Sequence, residues 1–187
     1  EIPGDFPKEN ILNAAGGYIT PGFIDIHRHG DWQAFGNGDD QLLNRQGLTT
    51  VVNGNCGLSV APAGKKFEKE IAGFLSSVTG NSKSRETEMM STMSSYMSAL
   101  EKEGRSVNTG MLAGNGTIRA GVKGYASGKL SKEEVHQVWD AVEESLVAGV
   151  LGISLGIAYA PEFEYDRDGL VEALQPLKGT DIPVTVH

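Results

Sequence analysis

Four residues of this chain could together carry metal chemistry. His27 and His29 stand one residue apart at the end of an apolar run, Cys56 is the single cysteine, and His187 is the last residue. In extended chain, residues i and i+2 point to the same face, so both imidazoles can reach one metal centre. Cys56 lies in Asn53-Gly-Asn-Cys-Gly57, just past a second apolar run, and His187 follows Val184-Thr185-Val186. Imidazole nitrogen and thiolate sulfur are the donors Zn²⁺ favours. Each residue also has a plainer reading. A single histidine at a strand end is more often a hydrogen-bonded structural group, and a lone cysteine a small buried hydrophobe. The His-x-His pair tips the balance, because two imidazoles on one face are costly to place without a purpose. The fourth histidine, His136, falls within a predicted surface helix and has no such neighbours.

Short strands and helices must position these groups. Apolar, β-branched runs bounded by Gly, Pro or Asn predict strands over 23–27, 48–53, 107–113, 150–155 and 183–187. Helical spacing fills the gaps. Ser131-Lys-Glu-Glu134 reads as a capping box, followed by Val135, Val138, Trp139, Val142 and Leu146, with Gly149 as the stop. A methionine-rich helix over 87–103 places Met90, Met93, Met97 and Leu100 on one core-facing side. Weaker helices are predicted over 40–46, 65–78 and 168–178, the last disturbed by Pro176. The acidic face Glu133, Glu134, Asp140, Glu143 and Glu144 reads as solvated. Alternation of this kind makes βαβ units and a parallel sheet, whose active sites gather at the carboxyl ends of the strands. His27, Cys56 and His187 all fall at such ends. A (β/α)₈ barrel needs about 250 residues, so the chain could supply roughly five of its eight strands. An open doubly wound sheet is the alternative, but no Gly-x-Gly-x-x-Gly follows the first strand.

Composition sets the outer limits. With 187 residues, 39% hydrophobic and 21% charged, the chain can bury a sizeable core. Its net charge of −8, without a Lys/Arg cluster, disfavours nucleic acid and anionic membranes as partners. No apolar run approaches bilayer length, and one cysteine fits a reducing, cytoplasmic setting. Glycine, at 25 residues, is enriched and implies tight turns and close backbone approaches. The chain starts at Glu1 and stops on a strand-end histidine, so it is expected to be a fragment of something larger.

The segment Tyr18-Ile-Thr-Pro-Gly-Phe-Ile-Asp-Ile-His-Arg-His-Gly30 resembles the barrel entry of the metal-dependent amidohydrolase superfamily. Val51-Val-Asn-Gly-Asn-Cys-Gly-Leu-Ser-Val-Ala-Pro62 is similar to the second-strand segment of its N-acyl-D-amino-acid deacylase branch. Gly149-Val-Leu-Gly-Ile-Ser-Leu-Gly-Ile-Ala-Tyr-Ala-Pro161 is similar to the fourth. The resemblance implies a partial TIM-like (β/α) barrel: residues 1–18 as the remnant of a small N-terminal β-sandwich, and 19–187 as the first five βα units. It implies one or two Zn²⁺ ions held by His27, His29, Cys56 and His187. The fourth-strand stretch has no lysine to bridge metals, and Cys56 stands where the branch has a cysteine ligand. Tyr159 matches an aromatic lining the substrate pocket. Arg119 and Lys123 are candidates for holding a substrate carboxylate, with Arg119 the first choice.

The implied activity is Zn-dependent hydrolysis of the amide bond of N-acyl-D-amino acids. Alternatives are another amidohydrolase (a cyclic amidase of the dihydroorotase kind, or a deaminase) or a metal-binding fragment without turnover. Two departures from the branch pattern concern the pocket: Asn115 replaces a histidine in Gly-His-Gly, and Glu162 replaces the glycine of Pro-Gly. The branch's general-base aspartate would fall beyond residue 187. The chain alone is therefore expected to be inactive, unless Asp25 or Asp31 substitutes, and its open barrel edge is expected to favour self-association.

Overall fold

Five strands form one parallel sheet in chain order: β1 (Phe23–Asp25), β2 (Leu48–Asn53), β3 (Asn108–Gly114), β4 (Gly152–Leu155) and β5 (Val184–Val186). A computed structural model describes residues 7, 11–35, 39–80 and 87–187. All four pairings are parallel, with Val51 opposite Thr109, Gly114 opposite Ser154 and Leu155 opposite Val186. Among the described residues, six α-helices lie between the strands: α1 (Asp39–Arg45), α2 (Glu68–Thr79), α3 (Met93–Glu103), α4 (Asn115–Lys123), α5 (Lys132–Val147) and α6 (Arg167–Ala173). The sheet curls with its helices into a half-barrel, so the partial TIM-like barrel expected from the alternation is the observed fold. Half of the stretch expected to be a sandwich remnant, residues 1–18, lies outside the described residues. Within that stretch, residues 7 and 11–18 carry no helix or strand.

Strand alternation places the core between sheet and helices. In β4, Ile153 and Leu155 join Met111 and Ala113 of β3 against Val138 and Val142 of α5. Gly152 and Ser154 face the other way. Met90, Met93 and Leu100 are buried as the methionine pattern predicts, but the helix over 87–103 is split. A 3₁₀ turn (Thr87–Met90) precedes α3, because Thr92 is extended and its hydroxyl accepts from Ser95 N–H at 3.1 Å. Near the same end, Glu144 of α5 accepts from Met93 N–H at 3.0 Å and Ser94 N–H at 2.9 Å. Glu144 is thus not merely solvated; its charge meets the positive end of the α3 dipole. The 168–178 prediction resolves into α6 and a 3₁₀ turn (Gln175–Leu177) carrying Pro176.

The capping box is present. Ser131 Oγ accepts from Glu134 N–H at 3.2 Å, and Ser131 N–H donates to Glu134 Oε2 at 2.7 Å. Ser131→Ala is expected to lower the unfolding free energy by about 1 kcal/mol, read as a shift of the urea midpoint at unchanged slope.

Helix α4 was not foreseen. It begins Asn-Gly-Thr and contains Gly121, poor material for a helix on propensity alone. Tertiary contacts hold it: Thr117 N–H donates to Gly57 O at 3.1 Å, and Thr117 Oγ1 to Ser59 O at 2.6 Å. Among the described residues, no helix is long and apolar enough to cross a membrane.

Candidate metal centre

The carboxyl ends of β1, β2 and β5 bring the four candidate ligands together. Cys56 Sγ lies 3.2 Å from His27 Nε2 and 3.2 Å from His187 Nδ1. Ligand atoms of His27, His29 and Cys56 all fall within 4.8 Å of one another. The rings of His27 and His29 meet edge to face at 5.7 Å between centroids. One ring nitrogen of His29, Nδ1, is buried without a hydrogen-bond partner. A buried imidazole nitrogen left unpaired, beside a thiol and two more imidazoles, is the donor set that a zinc ion would satisfy. The residues fit the metal.

Electrostatics favour the neutral form at two of these groups, His29 and Cys56. Burial, then the charges of His27 and His187, hold His29 below its usual range, which favours its unprotonated form. Burial pushes the Cys56 thiol up, partly offset by its interaction with Tyr159. Metal binding must therefore displace the thiol proton, which couples affinity to pH.

A short polar turn delivers Cys56. Cys56 has φ +59°, the left-handed region that non-glycine residues seldom occupy. Gly57, at φ +71°, has no room for a side chain, which would run into the Glu162 carboxylate. The flanking asparagines fasten the histidine segment to this turn. Asn53 Oδ1 accepts from Gly30 N–H at 3.0 Å. Asn55 Nδ2 donates to Val52 O at 3.0 Å and lies 3.3 Å from Ile26 O. The sequence carried a usable signal for both roles. Two asparagines one residue apart at the end of an apolar strand are costly to bury unless their side chains bond to backbone groups, as Asn53 Oδ1 and Asn55 Nδ2 do.

Tyr159 reaches the same turn: its hydroxyl donates to Cys56 O, and its ring lies 5.7 Å from that of His187. Burial, with the neighbouring Cys56, keeps the phenol strongly protonated. Arg119 does not join the group. It is fully buried in α4, donates to Gly128 O at 2.8 Å and stacks over the Tyr165 ring at 5.3 Å. Lys123 is engaged by Glu134 at 3.0 Å. A substrate carboxylate is therefore assigned to neither. Asp25 accepts from His27 N–H at 3.1 Å. Asp31 is fully buried, accepts from Val60 N–H at 3.1 Å, and burial pushes its carboxyl up to about 6.

Asn115 and Glu162, the two departures from the branch pattern, meet behind the cysteine turn. Asn115 Nδ2 donates to Glu162 Oε1 at 2.7 Å, and Gly156 N–H to Glu162 Oε2 at 2.6 Å. Burial raises the Glu162 carboxyl, against the pull of these donors and of the Arg119 charge. Nothing in the one-dimensional spacing links positions 115 and 162.

No protein-family profile matches the chain. It is similar to an N-acyl-D-aspartate deacylase of Alcaligenes xylosoxydans xylosoxydans, 30% identical over 94% of this chain and 34% of the relative. A D-aminoacylase of the same organism is 31% identical over 92% of this chain and 34% of the relative. The chain thus spans about a third of the length of the curated relatives it matches. Among solved structures, it is similar to an N-acyl-D-glutamate deacylase from Bordetella bronchiseptica complexed with zinc and a phosphonate inhibitor. That match has a TM-score of 0.74 at 26% identity, covering 89% of this chain and 34% of the other. A D-aminoacylase with a binuclear metal centre gives a TM-score of 0.68 at 28% identity, over 84% and 32%.

Proposed function

Because the chain is a homologue of the D-aminoacylase amidohydrolases over about a third of their length, we propose that it forms the metal-binding part of a zinc-dependent deacylase of N-acyl-D-amino acids. The observation that carries this reading is the meeting of Cys56 Sγ with His27 and His187, each at 3.2 Å, from three separate strands. Cys56, His27, His29 and His187 are the residues that would hold the metal. A bound Zn²⁺ supplies a Lewis acid for the amide carbonyl and lowers the pKa of water to about 7.

The chain's own residues do the rest of this part of the work. Cys56 gives up its thiol proton to become a ligand, while His29, its neutral form favoured by burial, offers its nitrogen without one. Tyr159 stays protonated, anchors the turn through Cys56 O, and sets its ring beside His187 as one wall for the acyl-amino acid. Proton transfer to the leaving nitrogen needs a general base. Asp25 and Asp31 are both committed to backbone N–H groups, so the reading assigns that role to an aspartate outside these residues.

A chimera tests the proposal: this chain in place of the matching third of the N-acyl-D-aspartate deacylase, loaded with zinc. Release of free amino acid from N-acyl-D- but not N-acyl-L-amino acids is the expected result. The chain by itself should retain zinc through gel filtration yet turn over about 10²–10⁴-fold more slowly, for want of the base. A folded, zinc-loaded chimera that hydrolyses neither isomer overturns the reading.

A further inference from the structure

We propose that Ser154 is a positioning residue for the metal site, bracing the turn that aims the Cys56 thiol. The inference rests on the reading that Cys56 is a metal ligand. Ser154 lies inside β4, and its side chain is completely buried. A hydroxyl in such a place is costly unless both its donor and its acceptor capacity are used. Both are used on a single turn. Ser154 Oγ donates to Gly54 O at 2.5 Å and accepts from Gly57 N–H at 2.9 Å. These are the two ends of the segment whose exposed-to-ligand member is Cys56.

The reach is unusual, because β4 does not neighbour β2. The sheet order puts β3 between them. The turn crosses over the end of β3 at Gly114, the register partner of Ser154, where any Cβ would crowd Gly57 O. Ser154 is thereby able to hold a loop two strands away. Without that hydroxyl, a buried N–H and a buried C=O lose their partner together. Nothing else in Ser154's position then favours the left-handed φ of +59° at Cys56. The imidazoles that touch the thiol do not substitute, since a thiol is a weak hydrogen-bonding group. Tyr159, which holds Cys56 O, grips the middle of the turn, whereas Ser154 fixes its ends.

Cobalt replaces zinc as the probe, because a cysteine ligand gives it a sulfur charge-transfer band that histidine ligands lack. The 187-residue chain, Ser154→Ala, Ser154→Thr and Cys56→Ala are titrated with Co²⁺, and Zn²⁺ affinity is taken by competition. Ser154→Ala is expected to lose about 10- to 100-fold in affinity, the range found when outer partners of metal ligands are removed, and to weaken or shift the sulfur band. Ser154→Thr, which keeps the hydroxyl, should recover the band. In a Cys56→Ala background the effect of Ser154→Ala on affinity should vanish, since Ser154 acts through the thiol. Should Ser154→Ala not fold by circular dichroism, Ser154→Cys, whose thiol fills the site but bonds weakly, takes its place, read by Zn²⁺ affinity with and without Cys56→Ala. Unchanged affinity and an unchanged band in the folded variant overturn the proposal while leaving Cys56 a ligand. A sulfur band missing from the parent chain overturns both this inference and the functional reading beneath it.

Discussion

Cys56→Ala is expected to remove tight zinc binding, lowering affinity by more than the about 10- to 100-fold that follows loss of an outer partner. The thiol is the atom that His27 and His187 share, so its removal leaves imidazoles from separate strands without their common neighbour. The effect is visible as stability. At a free Zn²⁺ concentration about 1,000 times Kd, binding to the folded chain alone adds about 4 kcal/mol. For a chain of this size each kcal/mol moves Tm by about 2–4 °C, so zinc should raise the melting temperature by roughly 8–16 °C. Cys56→Ala should abolish that shift, and a chelator should abolish it in the parent chain. Cys56→Gly also loses the metal response. In metal-free protein, however, it should melt above Cys56→Ala, because glycine accepts φ +59° without strain. Calorimetry with and without zinc reads all three. A zinc-induced shift that survives Cys56→Ala would count decisively against the cysteine as a ligand.

Glu162 gives the second large effect. Its carboxylate accepts from Asn115 Nδ2 at 2.7 Å and from Gly156 N–H at 2.6 Å while only 2% exposed. Glu162→Ala leaves two buried donors unpaired, at about 1–3 kcal/mol each, so the unfolding free energy should fall by about 2–6 kcal/mol. Glu162→Gln keeps the shape and one acceptor and should cost less. The two sequences also part with pH. Burial raises the Glu162 carboxyl above its ordinary 4.5, so the folded chain keeps this proton to higher pH than the unfolded chain. The stability tied to the group is complete below that value and is lost as pH rises through the folded pKa. Gln cannot ionise, so the parent chain should lose stability relative to Glu162→Gln as pH rises from below the ordinary 4.5 to neutrality. Urea titrations of both proteins at the two ends of that range measure the difference. A gap that is constant or widens in the parent's favour contradicts the assignment.

Period and punctuation made most of the scaffold legible. Strand β2 matches its expected bounds, and β3 and β5 lie within a residue or so of theirs, because apolar β-branched runs flanked by Gly or Asn allow few alternatives. The capping box marked the start of α5, since it is a local arrangement of four consecutive residues. Helix α4 escaped because Asn-Gly-Thr disfavours helix locally, and the bonds from Thr117 to the turn at Gly57 and Ser59 come from residues nearly 60 positions away. Arg119, a candidate for holding a substrate carboxylate on its charge, lies fully buried in that helix instead. Charge pattern carries no information on which face of an unforeseen helix turns inward.

The sequence by itself determined that short strands would alternate with helices, that the chemistry would sit at the strands' carboxyl ends, and that His27, His29, Cys56 and His187 were the residues to watch. Tertiary structure decided how those residues are held. Ser154 reaches the cysteine turn across an intervening strand, and Glu162 meets Asn115 behind it. The physical reason is one of range. Backbone conformation and amphipathic period are set by neighbours within a turn or two, and they can be read in order along the chain. A buried hydroxyl or carboxylate must instead find its partners wherever the fold brings a free N–H or C=O, and that pairing exists only once the strands have closed side by side.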